Sequence, residues 1–214
     1  TGVFTEIVER WSDVAEPART QGITRDVILV HLGSMSNLFA AMGWTVVHAL
    51  DHPEVRSRLE VGEPGLAERC ALESTRLAQR SIMLRAVLRP TAVRDEHRTY
   101  EVAPGVVLAT LLPLTNTSAA PGLQAYDPDR WDRRRLRDAD ALPARELVTT
   151  FGHGNHTCPA QPFSLSAMAR TLTRLVTEHE LEPRWQEARP LAGQIGGVAR
   201  SEKPCVLGHR RRTP

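Results

Sequence analysis

The chain has 214 residues, of which 41% are hydrophobic and 24% charged, and its formal net charge is +2. These values are typical of one globular domain or part of one, and so small a net charge gives no electrostatic argument for binding nucleic acid or a membrane surface. Three cysteines, Cys70, Cys158 and Cys205, are too few and odd in number for a disulfide framework, so we expect a reducing, cytoplasmic environment.

The first part of the chain is predicted to be helical. Apolar residues at helical spacing cover Gly2 to Ala18, and Pro17 and Gly22 are expected to break this pattern. Thr24 is a suitable N-cap for a long helix that runs to about Leu50. That helix is apolar enough to suggest a membrane span, but five polar side chains in it would be costly in lipid, so we expect a buried central helix instead. The five are His31, Ser34, Ser36, Asn37 and His48.

The remaining elements are shorter. Helices are predicted at 53–59 and at about 66–79, followed by short β-prone stretches at 82–87, 98–102 and 106–112. Residues 115–150 are polar and turn-rich, so we expect an irregular segment there. A glycine-containing loop at 151–158 then leads into a final helix at about 159–179. The predicted fold class is mainly α with small β-sheets.

The loop Phe151-Gly-His-Gly-Asn-His-Thr-Cys158-Pro-Ala160 carries the strongest chemical signal in the sequence. Gly152 and Gly154 allow backbone conformations that other residues avoid, and they let the chain approach a flat ligand closely. Pro159 suits the first position of a helix, so Cys158 is expected at the N-terminus of that helix. There the helix dipole favours the thiolate over the thiol, whose ordinary pKa is about 8.5. A thiolate on a rigid loop suits the axial position of a haem iron.

Three other interpretations of this loop remain open on the residues alone. Cys158 could be a partly buried structural cysteine, which is the usual role of a lone cysteine. His153, His156 and Cys158 could bind zinc, because two nitrogens and one sulfur suit that metal. Cys158 could also be a nucleophile activated by a nearby histidine.

The loop resembles the haem-binding signature of the cytochrome P450 family. Phe151, Gly154, His156 and Cys158 match its spacing, and Ala160 stands where the family usually has a glycine. The resemblance implies the C-terminal half of a P450 fold and haem b as cofactor. It implies that Cys158 ligates the iron, Phe151 packs near the sulfur and His156 reaches a haem propionate. Gly152, Gly154 and Ala160 complete the expected haem-contacting loop.

Further motifs extend the resemblance. Glu73-Ser-Thr-Arg76 is similar to the family's Glu-x-x-Arg, and Arg130 lies in a segment that donates a third member to a buried ion network. We expect these three residues to have a structural role, because buried ion networks specify architecture more than they stabilise it. Arg85 stands where family members offer an arginine to a propionate, with Arg80 and Arg89 as alternatives. The basic run Arg133 to Arg137 is a candidate docking surface for an acidic electron donor.

The long helix departs from the family. The resemblance aligns Gly33 and Ser34 with a small pair that leaves room for dioxygen, and Ser36 and Asn37 with the usual acid–alcohol pair. Asn37 cannot titrate and Ser36 is not acidic. Monooxygenation would then use ordered water or a substrate group to deliver protons. Alternatively, the protein would be a P450-fold isomerase or peroxygenase, or a haem or scaffold protein without catalytic activity.

The resemblance implies a soluble, bacterial-type P450 that oxidises a hydrophobic small molecule. Electrons would come from a ferredoxin and its reductase or an equivalent donor. The family's domain is about twice as long as this chain, so residues 1–214 would form its C-terminal haem-binding part and the N-terminal half would lie outside it. We therefore expect this chain alone to bind haem poorly.

Overall fold

The computed structural model describes residues 2–95 and 97–213, except for the side chain of His156. The α-helices within this range, in chain order, are α1 Val3–Arg10, α2 Ala18–Asp51, α3 Pro53–Glu60, α4 Leu66–Ala78, α5 Leu112–Ser118 and α6 Gln161–Glu178. Short 3-10 turns occur between α5 and α6. Helices therefore dominate the architecture.

The strands form small antiparallel pairs. β1 (Ile82–Ala86) pairs with β4 (Val107–Leu111), with Leu84 opposite Ala109. Between them, β2 (Thr91–Arg94) pairs with β3 (Thr99–Val102). β5 (Trp131–Asp132) and β6 (Arg135–Leu136) make a hairpin, and β7 (His179–Pro183) pairs with β8 (Leu207–Arg211). Mixed α structure with small antiparallel sheets is compatible with the predicted fold class.

The core forms where α2, α4 and α6 pack together. Its buried residues include Ala41 and Trp44 from α2, Leu72 from α4, and Leu165 and Met168 from α6. These positions recur every three or four residues in their helices, so each helix turns one apolar face inward. Burial of a leucine or methionine side chain contributes roughly 1.5–3 kcal/mol, which makes this three-helix contact the main stabilising feature.

The start of α2 differs from the predicted one. The helix begins at Ala18, and Thr24 lies inside it, where its hydroxyl donates to the Thr20 carbonyl oxygen at 2.8 Å rather than capping the helix. Gly22 does not break the helix, and it makes room for Trp11, the residue after α1: a Cβ at Gly22 would lie 2.3 Å from the Trp11 ring. The Trp11 indole N–H donates to Asp26 at 2.8 Å and fixes this contact.

The prediction that α2 is buried holds only for its C-terminal part, from Ala41 to Leu50. Val27, Leu29 and Leu32 are exposed in the N-terminal part. By length and composition α2 could cross a membrane, since one 18-residue window has a mean hydropathy of 1.4 and only 11% of that window is buried. The apolar composition of the C-terminal part is explained by its packing against α4 and α6.

Two ordered elements occur in segments where the sequence indicates irregular structure. Helix α5 begins with Pro113 in its first turn, a position that tolerates proline because no N–H is needed there. The β5–β6 hairpin turns at Arg133 and Arg134, which both have positive φ, 44° and 71°. Glycine and asparagine usually occupy such a turn, so two arginines give no sequence signal for it.

Candidate functional site

The cysteine loop is closed by its own backbone. The Cys158 N–H donates to the Phe151 carbonyl oxygen at 2.7 Å, and the Thr157 N–H donates to the Gly154 carbonyl oxygen at 3.1 Å. Gly152 and Gly154 have φ values of 81° and 57°, which a side chain would strain. The loop therefore holds Cys158 in a fixed, partly buried position.

The relation of Cys158 to the last helix differs from the predicted one. Helix α6 begins at Gln161, and Pro159 and Ala160 form a turn before it. The Gln161 N–H donates to the Cys158 carbonyl oxygen at 3.2 Å. The prediction that Pro159 opens the helix is wrong, because the proline in the first helical turn is Pro162. Cys158 consequently lies one short turn away from the helix end.

One cavity brings most of the predicted site residues together. It has a volume of about 420 Å³ and lies between the cysteine loop, α2 and β1. Cys158 is in its wall together with Gly33, Ser34 and Asn37 of α2. Phe151, Gly152, Ala160 and Arg85 also line it, with apolar side chains that include Leu38, Met83, Leu112 and Met168. A cysteine thus borders a largely apolar space that is also bounded by the long helix.

Ser36 lies elsewhere. It lines a separate groove of about 520 Å³, together with Trp44 and Cys205. With 3.6 residues per turn, Gly33, Asn37 and Ser34 fall within an arc of about 100° around α2, and Ser36 lies about 60° outside that arc. The four residues expected at the distal site, Gly33, Ser34, Ser36 and Asn37, are therefore not all brought to one cavity.

Of the remaining residues expected to contact haem, only some line the cavity. Arg85 donates to the Leu84 carbonyl oxygen at 3.0 Å, and across residues 2–95 and 97–213 no carboxylate pairs with it. The alternatives Arg80 and Arg89 are not among the cavity-lining residues described, nor is Gly154. His156 was expected to reach a propionate, but its side chain lies outside the described part of the structure.

The zinc interpretation finds no support in the described side chains. No group of three or more histidine, cysteine, aspartate or glutamate residues that could hold a metal occurs among them. A ring nitrogen of His153 lies 3.2 Å from the Val148 carbonyl oxygen, which holds this imidazole toward the preceding segment.

A buried ion network lies beside the cavity. Glu73 and Arg76 are fully buried, and two hydrogen bonds of 2.8 Å and 2.6 Å join their side chains. Arg130 donates to Glu73 at 2.8 Å, as the resemblance implied. Two further donors were not predicted: the Trp131 indole N–H at 2.9 Å and the Asp127 backbone N–H at 3.0 Å. One carboxylate thus receives donors from α4 and from the start of the β5–β6 hairpin.

Arg76 extends the network into the irregular segment. Its guanidinium donates to the carbonyl oxygens of Leu123 at 2.6 Å and Ala125 at 3.2 Å, and also to that of Asn116. Asn116 lies in the last turn of α5, whose carbonyls have no partner within the helix, and Leu123 and Ala125 lie in the irregular stretch that follows. Because an unpaired buried carbonyl is costly, Arg76 makes this path of the chain possible.

Asn116 connects this network to the cysteine loop. Its amide N–H groups donate to the carbonyl oxygens of Arg76 at 3.2 Å and Thr149 at 2.9 Å, and its carbonyl accepts from the Thr149 N–H at 2.8 Å. The Thr149 hydroxyl then accepts from the Gly152 N–H at 2.8 Å. Neither Asn116 nor Thr149 was predicted, since an asparagine in a polar stretch usually signals only a turn.

His48 lies in an aromatic cluster next to the ion network. Its ring centroid is 5.2 Å from that of Trp44 and 5.1 Å from that of Tyr126, and His52 lies 4.5 Å from Tyr126. Burial, together with the smaller effects of the nearby charges of His52 and Arg76, lowers the pKa of His48 to about 3. His48 is therefore neutral at physiological pH.

Comparison with known proteins points to cytochrome P450 enzymes. The chain is 22% identical over 212 residues to human 24-hydroxycholesterol 7-alpha-hydroxylase, covering 86% of this chain and 43% of that protein. It is 24% identical over 194 residues to a cytochrome P450 monooxygenase of Gibberella zeae, covering 77% of this chain and 37% of that protein. It is 21% identical over 210 residues to the mitochondrial sterol 26-hydroxylase of rat, with coverages of 88% and 37%.

No protein-family model matches the chain. The chain spans about two fifths of the length of these curated relatives. At this low identity the matches support a relationship to cytochrome P450 hydroxylases and monooxygenases. The relatives named here are eukaryotic, so they give no support to the expected bacterial type.

Replacing Glu73 with alanine tests the role of the ion network. The variant leaves the Arg76 guanidinium buried without its counter-charge, so we expect it to lower the free energy of unfolding by about 3–5 kcal/mol. The matched control is Glu60→Ala, which removes a partly exposed carboxylate that pairs with Arg56 and Arg212 and should cost less than about 1 kcal/mol. Urea denaturation compares the two, and equal losses would contradict the structural role.

His48 gives the protein a defined acid sensitivity. An unfolded histidine has a pKa of about 6.5, so between pH 6.5 and about 3 the unfolded state binds a proton that the folded state does not. We expect the contribution of His48 to the free energy of unfolding to be constant above pH 6.5. It should fall as the pH decreases from 6.5 to about 3. His48→Phe should flatten the slope in urea titrations at several pH values. Replacement of the exposed His31 by glutamine is the control, and an unchanged slope in His48→Phe would refute the assignment.

Proposed function

We propose that residues 1–214 form the C-terminal haem-binding part of a cytochrome P450 that holds haem b through the thiolate of Cys158. The observation that carries this proposal is the position of Cys158 in the wall of an apolar cavity, together with Gly33, Ser34 and Asn37 of the long helix. A structural cysteine would instead be packed against neighbouring side chains. The low-identity similarity to P450 hydroxylases and monooxygenases supports the same conclusion.

The residues around the cavity are suited to haem. Its volume of about 420 Å³ lies in the usual range for cofactor pockets, about 300–1,000 Å³, and its lining is mainly apolar. Cys158 would supply the sulfur ligand, and Arg85 would offer its guanidinium to a propionate. Phe151 and Ala160 would pack against the macrocycle. When bound, thiolate-ligated haem supplies the oxygen chemistry of the family.

The chain's own residues have defined tasks in this proposal. The hydrogen bond between the Cys158 N–H and the Phe151 carbonyl closes the loop and keeps the cysteine in place. A fixed position of the ligand would prevent its exchange at a redox centre. Gly33 would leave space above the bound group, since a Cβ added there would meet nothing within 4 Å. Glu73, Arg76 and Arg130 would hold the surrounding chain without taking part in the reaction.

We propose monooxygenation of a hydrophobic small molecule as the reaction. Two of the relatives are named as sterol or hydroxycholesterol hydroxylases, which makes a sterol-like molecule a reasonable substrate class. Electrons would come from a ferredoxin and its reductase or an equivalent donor. The basic run Arg133 to Arg137 would offer it a docking surface, although Arg134 already pairs with Glu68 at 2.6 Å. The bacterial type and the cytoplasmic location stay predictions.

One observation favours a second candidate, a P450-fold isomerase or peroxygenase. None of the described residues that line the cavity is an aspartate or glutamate. Asn37 cannot titrate, so the chain offers no acid there for proton delivery.

Turnover of one substrate distinguishes the two reactions. A monooxygenase should require both the reduced donor and dioxygen, because its oxygen atom and electrons come from these two sources. The second candidate should turn over with peroxide alone, and full activity with peroxide and no gain from the donor would overturn monooxygenation.

The ligand assignment is tested on the full-length protein by the carbon monoxide difference spectrum of its reduced form. We expect the red-shifted absorption band of a thiolate-bound complex in the wild type and its loss in Cys158→Ala, because alanine offers no ligand. Cys205→Ala is the matched control and should keep the band. A band that persists in Cys158→Ala would exclude Cys158 as the ligand, and stoichiometric zinc in a metal assay would favour a site with His153 and His156.

A further inference from the structure

Asn37 of α2 makes a hydrogen bond with the backbone of Val198, which lies 161 positions further along the chain. We propose that Asn37 is a positioning residue that attaches α2 to the turn formed by residues 194–199, hereafter the C-terminal turn. It thereby sets the part of the cavity wall formed by Asn37, Gly197 and Val198 and selects ligands by size. The proposal rests on the proposed function in one respect, namely that the cavity is the ligand site.

The contact is direct and specific. The Asn37 side-chain carbonyl accepts from the Val198 backbone N–H at 3.0 Å. Gly197, which precedes Val198, has a φ of 65°, and a Cβ at this position would lie 2.1 Å from the same oxygen. Glycine is therefore required at 197 both for the backbone conformation and for the close approach of the amide. Asn37, Gly197 and Val198 all line the cavity that contains Cys158.

The C-terminal turn is held on its other side by the junction of α4 and β1. The Ala199 N–H donates to the Ala78 carbonyl oxygen at 2.9 Å, and the Arg80 N–H donates to that of Gly197 at 2.8 Å. The Gly197 N–H donates to the Ser81 hydroxyl at 3.0 Å. These three bonds do not involve α2, and the Trp44 indole N–H of α2 donates to the Ala199 carbonyl oxygen at 2.7 Å. The turn should therefore stay in place when the Asn37 contact is removed, and only the Val198 amide should lose its partner.

The chemistry of the amide suits attachment better than proton transfer. Its oxygen is occupied by a backbone N–H, and neither the oxygen nor the NH₂ group titrates at physiological pH. The bond also fixes the orientation of the amide, because only the oxygen can accept from Val198. An aspartate would preserve the acceptor, whereas an alanine would remove it.

The position of the contact predicts which ligands depend on it. Cys158 lines the same cavity as Asn37, Gly197 and Val198, and the Asn37–Val198 bond forms part of its wall. We expect a small ligand bound next to the cysteine to fill only part of this volume and to leave the turn untouched. A long or bulky ligand reaches the turn, so its affinity depends on whether Val198 is held against α2.

Amide hydrogen exchange of the full-length protein tests the attachment itself. In Asn37→Ala we expect the Val198 amide to exchange about fivefold faster or more, since it loses its acceptor. The Gly197 and Ala199 amides should keep their wild-type rates, because Ser81 and Ala78 still accept from them. Asn37→Asp should protect Val198 as the wild type does. An unchanged Val198 rate in Asn37→Ala, or an equal acceleration of all three amides, would overturn the proposal.

Spectral titration of the haem-loaded full-length protein tests selection by size. Imidazole serves as the small probe and an N-aryl imidazole as the bulky one. In Asn37→Ala we expect the Kd of imidazole to change by less than about twofold and that of the bulky probe by about fivefold or more. Asn37→Asp should leave both Kd values close to those of the wild type, because it keeps the acceptor oxygen. Equal shifts for both probes would refute the role in selection.

The two measurements separate this proposal from the proposed function. Hydrogen exchange at Val198 does not require haem, so a protein that binds none would fail the carbon monoxide test and still report on the attachment. Conversely, a normal carbon monoxide spectrum with unchanged Val198 exchange would keep the haem assignment and remove the role of Asn37.

Discussion

The buried carboxylate of Glu73 is the interaction on which the rest of the structure depends. It receives Arg76, Arg130, the Trp131 indole and the Asp127 backbone N–H, so one side chain of α4 fixes both its own helix and the start of the β5–β6 hairpin. A buried charge is tolerated only where donors surround it, and here they do. The segment between α5 and that hairpin has almost no regular backbone pairing and is ordered by this centre.

The ion network around Glu73 is connected to the cysteine loop by hydrogen bonds between neutral groups. Arg76 donates to carbonyls of the irregular segment, Asn116 joins the Arg76 backbone to Thr149, and the Thr149 hydroxyl accepts from Gly152. The position of Cys158 is thus determined by a continuous set of hydrogen bonds that starts at α4. This explains how a loop with positive-φ glycines can hold a sulfur atom in a fixed place, and it assigns the ion network a supporting role beside the cavity.

Helix α2 has three different environments along its length. Its C-terminal part is core, where Trp44 packs against α4 and α6 and donates to the Ala199 carbonyl oxygen at 2.7 Å. Its middle part borders the cavity, and its N-terminal part exposes Leu29 and Leu32. The helix therefore connects the stabilising core to the candidate site. The Asn37 contact lies in the middle part, at the cavity.

Several features were determined by the sequence itself. The spacing of Phe151, Gly154 and Cys158 identified the loop, and Glu73-x-x-Arg76 identified the network, because each depends on residues close together in the chain. Apolar spacing placed α3 and α4 well for the same reason. The tertiary structure decided what depends on distant residues: Trp131 and Asn116 join the network from forty or more positions away. The contact of Trp11 with Gly22, the bond of Asn37 to Val198 and the position of Ser36 in another groove are likewise visible only in the folded chain. Local spacing determines which residue types recur on one face, whereas the partner of each face is fixed by the path of the whole chain.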